Sequence, residues 1–268
     1  MLTSLPTVLA LDFDGVLCDG LKEYFLTAWQ AYCNLWQASD RIPPAGLAES
    51  FYRLRPVVET GWEMPVVIRA VLQGVTEADI LQDWAAIAQQ IVADENLTPA
   101  ELVAQVDGTR DQWIASDGAS WLAEHRFYPG VGDRLNAILQ TDVHVTIIST
   151  KEGRFIQQLL EQQGIDLTDL QIYGKEVKRP KGDILLELME IFGKDAMFWF
   201  VEDRLKTLQG LQKRPELADV GLFLADWGYN TASDRDQATQ DPHIHLISLS
   251  QFTSDFAQWL LSPNLKSV

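Results

Sequence analysis

The stretch that decides the fold is Val8-Leu9-Ala10-Leu11-Asp12-Phe13-Asp14-Gly15-Val16-Leu17. It begins with an unbroken apolar run, which is typical of a short strand that a parallel sheet buries on both faces. Asp12 and Asp14 follow, and side chains two residues apart lie on the same side of an extended segment. Because neighbouring carboxylates repel each other, this pair favours a bound cation, for which Mg²⁺ is the usual choice. The alternative is an ordinary exit from a strand into a turn, since Asp-Gly is a common turn pair.

Composition bounds the class of protein. The chain has 268 residues, 47% of them hydrophobic and 22% charged, which is typical of a soluble globular protein with one large domain or two smaller ones. Its net charge of −17 disfavours binding to nucleic acid and to anionic membranes. Cys18 and Cys33 are too few for a disulfide framework and predict a reducing setting. The first apolar run is too short for a signal peptide, and no stretch reaches the ~20 apolar residues that span a bilayer. We therefore expect a cytoplasmic protein, with its oligomeric state left open.

Helical periodicity dominates the chain after Leu17. Proline and glycine separate the helical patterns, as at Pro56 and Gly74, and Thr98 is a natural N-cap for a helix that starts at Pro99. The predicted helices are residues 21–37, 45–55, 65–72 and 77–93, the helix from Pro99, and residues 113–125.

Strands and helices alternate from Phe127 onward, which predicts a Rossmann-like, doubly wound parallel sheet with helices on both faces, an α/β fold. The first strand belongs to that sheet by its character. The sequence thus predicts a core domain of residues 1–17 and 126–268, with an all-helical domain of residues 18–125 inserted after the first strand. Predicted strands are 143–148, 170–173, 197–201, 221–224 and 244–247; predicted helices are 131–140, 153–163, 182–192, 205–213 and 249–261.

Three of the predicted strands end in polar side chains. Since the carboxyl ends of parallel strands meet at one edge of a sheet, we expect these side chains to converge on one site. A basic cluster at residues 178–182 precedes a helix and would suit a phosphate. The alternatives are a helix cap for the hydroxyl pair, helix-terminal charges for the later acidic pair, and a solvated loop for the basic cluster. The strand-end residues are Asp12 and Asp14, Ser149 and Thr150, and Glu202 and Asp203.

Together these motifs resemble the haloacid dehalogenase (HAD)-like superfamily, in its phosphatase branch with a helical cap inserted after the first motif. Residues 9–19 (LALDFDGVLCD) resemble the first motif, Ser149 stands where the second motif has Ser or Thr, and residues 198–203 (FWFVED) resemble the fourth. Residues 128–131 (YPGV) are similar to the segment that returns from cap to core. Residues 225–230 (ADWGYN) resemble the loop after the last core strand in phosphoglycolate-phosphatase-like members.

The resemblance implies a role for each matched residue. Asp12 would be the nucleophile that accepts the phosphoryl group, and Asp14 the general acid and then the general base. Mg²⁺ would be held by Asp12, the main-chain carbonyl of Asp14 and Asp203, with Glu202 as a further ligand or as an orienting residue. Ser149 would hydrogen-bond the phosphoryl oxygens. Two further residues of the second-motif loop are expected to bind substrate, namely Thr150 and Lys151.

The third motif departs from the usual pattern. Relatives usually show Lys-Pro-x-Pro-Asp, whereas this chain has Lys178-Arg179-Pro180-Lys181-Gly182-Asp183. The motif lysine would neutralise charge on the phosphoryl group and on Asp12. Lys181 is favoured because it stands at the start of a predicted helix, and Lys178 is the alternative.

The predicted cap carries the candidate specificity residues. Between two of its helices the sequence mixes arginine, acid, glycine and tryptophan, which is typical of a functional loop, although surface arginines and a packed tryptophan explain it equally well. Arg53 or Arg55 would meet an anionic group, Glu59 a hydroxyl or amine, and Trp62 would line the substrate.

These motifs predict a Mg²⁺-dependent phosphatase for a small phosphorylated metabolite. A dehalogenase lacks an acid two residues after the nucleophile, so Asp14 favours phosphate esters. The alternatives are a sugar phosphomutase of the same chemistry and a non-catalytic member that binds a ligand.

Overall fold

The computed structural model describes residues 5–193 and 195–261. Within these residues, one sheet of six parallel strands has the order β5-β4-β1-β6-β7-β8, and β2 and β3 form a separate antiparallel ribbon. None of the helices in the described ranges is long and apolar enough to cross a membrane. The strands are β1 (Val8–Leu11), β2 (Cys18–Asp19), β3 (Arg126–Phe127), β4 (His144–Ile148), β5 (Gln171–Tyr173), β6 (Phe198–Glu202), β7 (Gly221–Ala225) and β8 (Ile244–Ile247).

Strand β1 lies at the centre of the sheet, as its sequence predicts. All of its residues are buried, and it pairs with β4 on one side and β6 on the other. Its last residue, Leu11, is in register with Ile147 of β4 and Val201 of β6. The carboxyl ends of these three strands therefore lie side by side, at the reversal of strand order where an open α/β sheet binds ligands. The predicted doubly wound α/β fold is confirmed.

Two compact units make up the chain. One unit contains the sheet and includes the described residues up to Asp19 and from Arg126 onward; the other is Gly20–His125. The ribbon of β2 and β3 belongs to the sheet-containing unit, where Cys18 pairs with Phe127 and Asp19 with Arg126. A strand of two residues is too short to show a periodic pattern in the sequence. The predicted boundary after Leu17 therefore falls just before the ribbon. That the two units act as a catalytic core and a cap stays a prediction.

Helices cover both faces of the sheet in the first unit. On one face, Val8, Phe200 and Leu222 pack with Leu185 of α8 and Leu208 of α9. On the other face the rings of Trp199 in β6 and Phe223 in β7 contact the ring of Trp259. The helices of this unit are α6 (Val131–Leu139), α7 (Gly153–Gln162), α8 (Lys181–Phe192), α9 (Leu205–Gln212), α10 (Ala232–Gln240), α11 (Leu249–Phe252) and α12 (Phe256–Trp259).

The predicted C-terminal helix over residues 249–261 is wrong. The structure has two short helices there, α11 and α12, and Asp255 between them is extended. Thr253 and Ser254 donate side-chain hydrogen bonds to carbonyls of the preceding turn, with Ser254 Oγ 2.7 Å from Ser250 O. Such local hydrogen bonds give the backbone an alternative to continuing the helix.

The second unit has its own hydrophobic core, and it is helical as predicted. Large apolar side chains such as Phe51, Val67 and Ile80 are buried in it. The longest helix has a kink at Asp117, where φ is −156° and ψ is 75°. It therefore consists of two helical segments, as the predicted helices from Pro99 and over 113–125 require, and the break lies inside the second predicted range. The helices are α1 (Leu21–Leu35), α2 (Leu47–Leu54), α3 (Glu63–Leu72), α4 (Glu77–Asp94) and α5 (Pro99–Leu122).

Candidate active site

The turn after β1 is tightly closed. The carbonyl oxygen of Phe13 accepts hydrogen bonds from the N–H groups of Leu17 and Cys18, both at 2.9 Å, and Gly15 N–H donates to the carbonyl of Cys18 at 2.8 Å. Gly15 has φ +84°, which an L side chain rarely adopts, and a Cβ there would lie 2.1 Å from Asp203 Oδ2. Glycine at this position therefore lets the turn approach the end of β6.

Asp12 lies at the centre of the site. Its side chain is buried, Oδ1 accepts the Phe13 N–H at 2.7 Å, and Oδ2 lies 2.9 Å from Lys181 Nζ. Carboxylate oxygens of Asp12, Glu202 and Asp203 all lie within 4.8 Å of one another. The predicted convergence of the β1 and β6 ends is thus present in the geometry.

Lys181 joins two of these carboxylates. Its Nζ lies 2.7 Å from Glu202 Oε2 as well as 2.9 Å from Asp12 Oδ2. It is the first residue of α8, where the chain emerges beside the carboxyl edge of the sheet. Lys178, the alternative from the sequence, is exposed and has a left-handed backbone with φ 52°. The structure therefore brings Lys181, not Lys178, to the carboxylates.

Glu202 is fully buried, and its oxygens already have partners. Oε1 accepts the main-chain N–H groups of Asp203 at 3.2 Å and Arg204 at 3.0 Å, while Oε2 accepts from Lys181. This arrangement fixes both the start of the turn after β6 and the lysine amine. Of the two roles that the sequence left open, it favours the orienting role.

Asp203 is held by a loop to which sequence reasoning assigned no role. Its Oδ2 accepts the Tyr229 N–H at 2.7 Å, and its carbonyl accepts from Asn230 Nδ2 at 3.0 Å. A Cβ on Gly228 would lie 2.3 Å from Asp203 Cβ, so this loop packs directly on the carboxylate. The resemblance of residues 225–230 to a family loop was the one available signal for these contacts.

The second-motif loop contributes a hydroxyl and an amine. Ser149 is buried at the end of β4, and its Oγ accepts the Lys151 N–H at 3.3 Å. Lys151 Nζ lies 3.2 and 3.4 Å from the two carboxylate oxygens of Asp14. Thr150 is exposed. The loop thus faces the turn after β1, with Lys151 directed at Asp14.

Burial dominates the electrostatics of the carboxylates. It raises the pKa of Asp12 to about 7, against the opposing effect of Lys181, with Glu202 adding to the rise. Burial likewise raises the pKa of Glu202 and of Asp203, the latter also through the charge of Asp12. Burial disfavours the Lys181 charge, but Asp12 and Glu202 outweigh it and raise the pKa of that amine. Lys181 faces Asp12 and Glu202, and the charge of Arg204 acts on Asp203, so two cations face three buried carboxylates and leave an excess of negative charge.

This excess fits a divalent cation. Buried carboxylates are costly unless they are paired or coordinate a metal, and Lys181 and Arg204 offset two of the three charges. All the donors are oxygen atoms, which hard cations such as Mg²⁺ prefer. The donor set therefore suits Mg²⁺.

The four candidates in the helical unit are engaged within that unit. Arg53 forms a bidentate pair with Glu77, at 2.7 and 2.9 Å, which lowers the pKa of Glu77 to about 2. Arg55 donates to the Val58 carbonyl at 3.1 Å and lies over the ring of Tyr24. The main-chain N–H of Glu59 donates to Glu63, and Trp62 packs partly buried against the helical core. Their predicted contacts with substrate stay predictions.

Comparisons with known proteins agree with this geometry. The model of the haloacid dehalogenase-like hydrolase family matches residues 6–213. Over 231 residues the chain is 26% identical to a phosphoglycolate phosphatase from Pseudomonas putida, covering 85% of this chain and 72% of that protein.

Two solved structures share the fold. A predicted phosphatase from Clostridium acetobutylicum has a TM-score of 0.56 at 16% identity, covering 93% of this chain and 97% of that one. A haloacid dehalogenase-like family hydrolase from Streptococcus pneumoniae has a TM-score of 0.53 at 16% identity, covering 89% and 93%.

Proposed function

We propose that this chain, which belongs to the haloacid dehalogenase-like hydrolase family, uses Mg²⁺ and an aspartyl-phosphate intermediate to hydrolyse a small phosphorylated metabolite. The family membership and the phosphoglycolate phosphatase relative support a phosphatase enzyme, as the sequence predicts. The metal, the intermediate and the substrate form the proposal.

The surroundings of Asp12 are the observation that supports this proposal. Asp12, at the carboxyl end of the central strand, has one oxygen against Lys181 and lies within a buried cluster of carboxylates. A carboxylate held in this way can attack phosphorus, because the lysine and a cation would offset its repulsion from an anionic ester. Ser149, at the end of the neighbouring strand, supplies a hydroxyl donor for a phosphoryl oxygen.

The reaction would proceed in two steps. In the first, an Asp12 carboxylate oxygen attacks phosphorus, the bond from phosphorus to the ester oxygen breaks, and Asp14 gives its proton to that oxygen. In the second, Asp14 takes a proton from water, whose oxygen attacks phosphorus. The bond from phosphorus to Asp12 then breaks, which releases inorganic phosphate and restores both carboxyl groups.

Asp12, Asp203 and the main-chain carbonyl of Asp14 would hold the Mg²⁺. When bound, the ion would neutralise charge on the attacking carboxylate and on the phosphoryl oxygens. Lys181 would neutralise further charge on Asp12 and on the phosphoryl group, and Glu202 keeps its amine in place.

The test is phosphate release from a panel of phosphate esters, with Mg²⁺ and with EDTA, by the wild type and by Asp12→Asn. 2-Phosphoglycolate heads the panel because of the Pseudomonas putida relative, and phosphorylated sugars, nucleotides and 4-nitrophenyl phosphate complete it. We expect Mg²⁺-dependent release that Asp12→Asn abolishes. An acid-quenched sample should carry a phosphoryl group on the wild-type protein and none on the variant.

Release that persists in Asp12→Asn would contradict the aspartyl-phosphate route. Release that EDTA does not reduce would contradict the metal. A wild type that releases phosphate from no ester of the panel would contradict the proposed function as a whole.

A further inference from the structure

The second-motif loop places a lysine amine on the carboxylate next to the nucleophile. We propose that Lys151 is a positioning residue, which holds the Asp14 carboxyl group in the orientation needed to give a proton to the leaving group and then to take one from water. The inference rests on the proposed function, because it assigns Lys151 a role through the general acid rather than the substrate contact expected from its position in the motif.

The Lys151 amine contacts both carboxylate oxygens of Asp14. Lys151 Nζ lies 3.2 Å from Asp14 Oδ1 and 3.4 Å from Asp14 Oδ2. The lysine side chain is only 8% exposed and the aspartate side chain 18%. An ammonium that contacts both oxygens restrains the rotation of the carboxylate, and a buried ion pair contributes little net stability. Its main physical effect is therefore the orientation of Asp14.

The main chain of Lys151 is fixed on both sides. Its N–H donates to Ser149 Oγ at 3.3 Å, and its carbonyl accepts the Lys175 N–H at 2.9 Å. Ser149 in turn donates its main-chain N–H to the carbonyl of Tyr173, the last residue of β5. The loop after β4 is thus bound to the loop after β5.

A second contact fixes the start of α7. Glu176 Oε2 accepts the Gly153 N–H at 3.0 Å, which satisfies a donor at the helix N-terminus. A Cβ on Gly174 would lie 2.3 Å from Gly153 N, so the two loops approach as closely as glycine allows. Lys151 therefore extends from a main chain that is supported on both sides, and from there its amine reaches both carboxylate oxygens of Asp14.

This support has a chemical consequence. A general acid is effective only within hydrogen-bond reach of the oxygen that it protonates. Asp14 lies within the tightly closed turn after β1, and Lys151 restrains its side chain at both carboxylate oxygens. Fixing it matters for esters whose leaving group is a poor one, such as an alkoxide. It matters little for 4-nitrophenolate, which leaves without a proton.

The experiment compares Lys151→Met, Lys151→Arg and wild type on two esters, 2-phosphoglycolate and 4-nitrophenyl phosphate. If 2-phosphoglycolate is not hydrolysed, the best alkyl ester of the panel replaces it. The exposed Lys213→Met variant is the matched control. We expect kcat/KM of Lys151→Met to fall by about 10- to 100-fold for the alkyl ester and by less than about threefold for the aryl ester. Lys151→Arg should recover most of the loss, since it keeps a cation that can pair with both oxygens.

Other outcomes overturn the inference. Equal losses in kcat/KM for the two esters would mean that Lys151 contacts the phosphoryl group or that its loss perturbs the site in general. Circular dichroism and thermal unfolding of the variant would reveal a general perturbation. Unchanged values for both esters would mean that Asp14 is positioned without it. A wild type with no Mg²⁺-dependent release from any ester overturns the proposed function and this inference with it, whereas an active wild type with an unchanged alkyl-to-aryl ratio in Lys151→Met overturns the inference alone.

Discussion

At the scale of single residues, Lys181 has the greatest influence on the site. One amine contacts Asp12 and Glu202, both buried. Removing one partner of a buried ion pair leaves the other charge uncompensated, which is more costly than the pair is stabilising. Lys181 therefore balances charge in the folded protein and also favours the approach of an anionic phosphate.

We expect Lys181→Met to lower kcat/KM by about 100-fold or more and to destabilise the metal-free protein by about 3–5 kcal/mol, because two carboxylates lose their cation. Lys178→Met removes the same charge from an exposed position in the same segment, and it should change neither quantity appreciably. Activity assays and urea unfolding of both variants check this. Loss of activity in Lys178→Met with retention in Lys181→Met would return the third-motif role to Lys178.

A second residue-scale prediction concerns pH. The pKa of Asp12 is raised to about 7 in the folded protein, whereas an unfolded Asp titrates near 4. Between these values the folded state holds a proton that the unfolded state has lost, so stability falls as pH rises through that window and is constant above it. This contribution amounts to about 1.4 kcal/mol per pH unit. Urea unfolding in EDTA from about pH 4 to pH 8 should show the wild type losing stability relative to Asp12→Asn.

The difference between the two proteins reports the Asp12 proton together with the effect of the Asp12 charge on Asp203 and Lys181, whose pKa values it raises. A difference that stays constant across the window would contradict the raised pKa.

At the scale of the elements, α12 packs against one face of the sheet. Trp259 of α12 is 1% exposed, and its ring centroid lies 5.7 Å from that of Trp199 and 5.6 Å from that of Phe223. Stacked or edge-on aromatic rings at these separations add to the free energy gained by burying them. The helix that carries Trp259 is too short to be stable alone, so this packing holds it.

We therefore expect Trp259→Ala to destabilise the protein by about 3–5 kcal/mol. Gln258→Ala, at the neighbouring exposed position, should change stability by less than about 0.5 kcal/mol. Thermal or urea unfolding of the two variants provides the measurement. Similar midpoints for the two would mean that the C-terminal helices do not contribute to the core.

The elements also show what the sequence could and could not predict. Strands β1, β4 and β6 were predictable because each is an apolar run that ends in polar residues, and the sheet follows from their alternation with helices. Strands β2 and β3 were not predictable, because a strand of two residues is too short to show a periodic pattern. The break at Asp255 depends on side-chain hydrogen bonds that compete with the helix. The contacts of Lys151 with Asp14 and of Tyr229 with Asp203 join residues far apart in sequence, so only the folded chain brings them together.

At the scale of the whole molecule, the two units have separate hydrophobic cores, and the proposed Mg²⁺ ligands all belong to the unit with the sheet. A ligand that binds only the folded state stabilises it by mass action, by about 2.7 kcal/mol at a hundred times its dissociation constant. That stabilisation applies to every part of the chain that unfolds together with the Mg²⁺ site.

We expect Mg²⁺ to slow hydrogen exchange in peptides from β1, β4 and β6 and to leave those from α3 and α4 unchanged. Mass spectrometry of exchange with Mg²⁺ and with EDTA measures this, and Asp203→Asn serves as the variant in which the difference should shrink. Equal protection of both units would mean that they unfold as one, and no protection in either would contradict the metal site.

The ribbon formed by β2 and β3 joins the two points at which the chain leaves and re-enters the sheet-containing unit. Asp19, where the chain leaves the sheet-containing unit, is paired directly with Arg126, where it returns. Paired strands lie about 5 Å apart, a gap that a two-residue hairpin turn can close. The chain thus leaves and re-enters the sheet-containing unit at neighbouring residues, so a short turn from Asp19 to Arg126 would leave every strand of the sheet connected as it is.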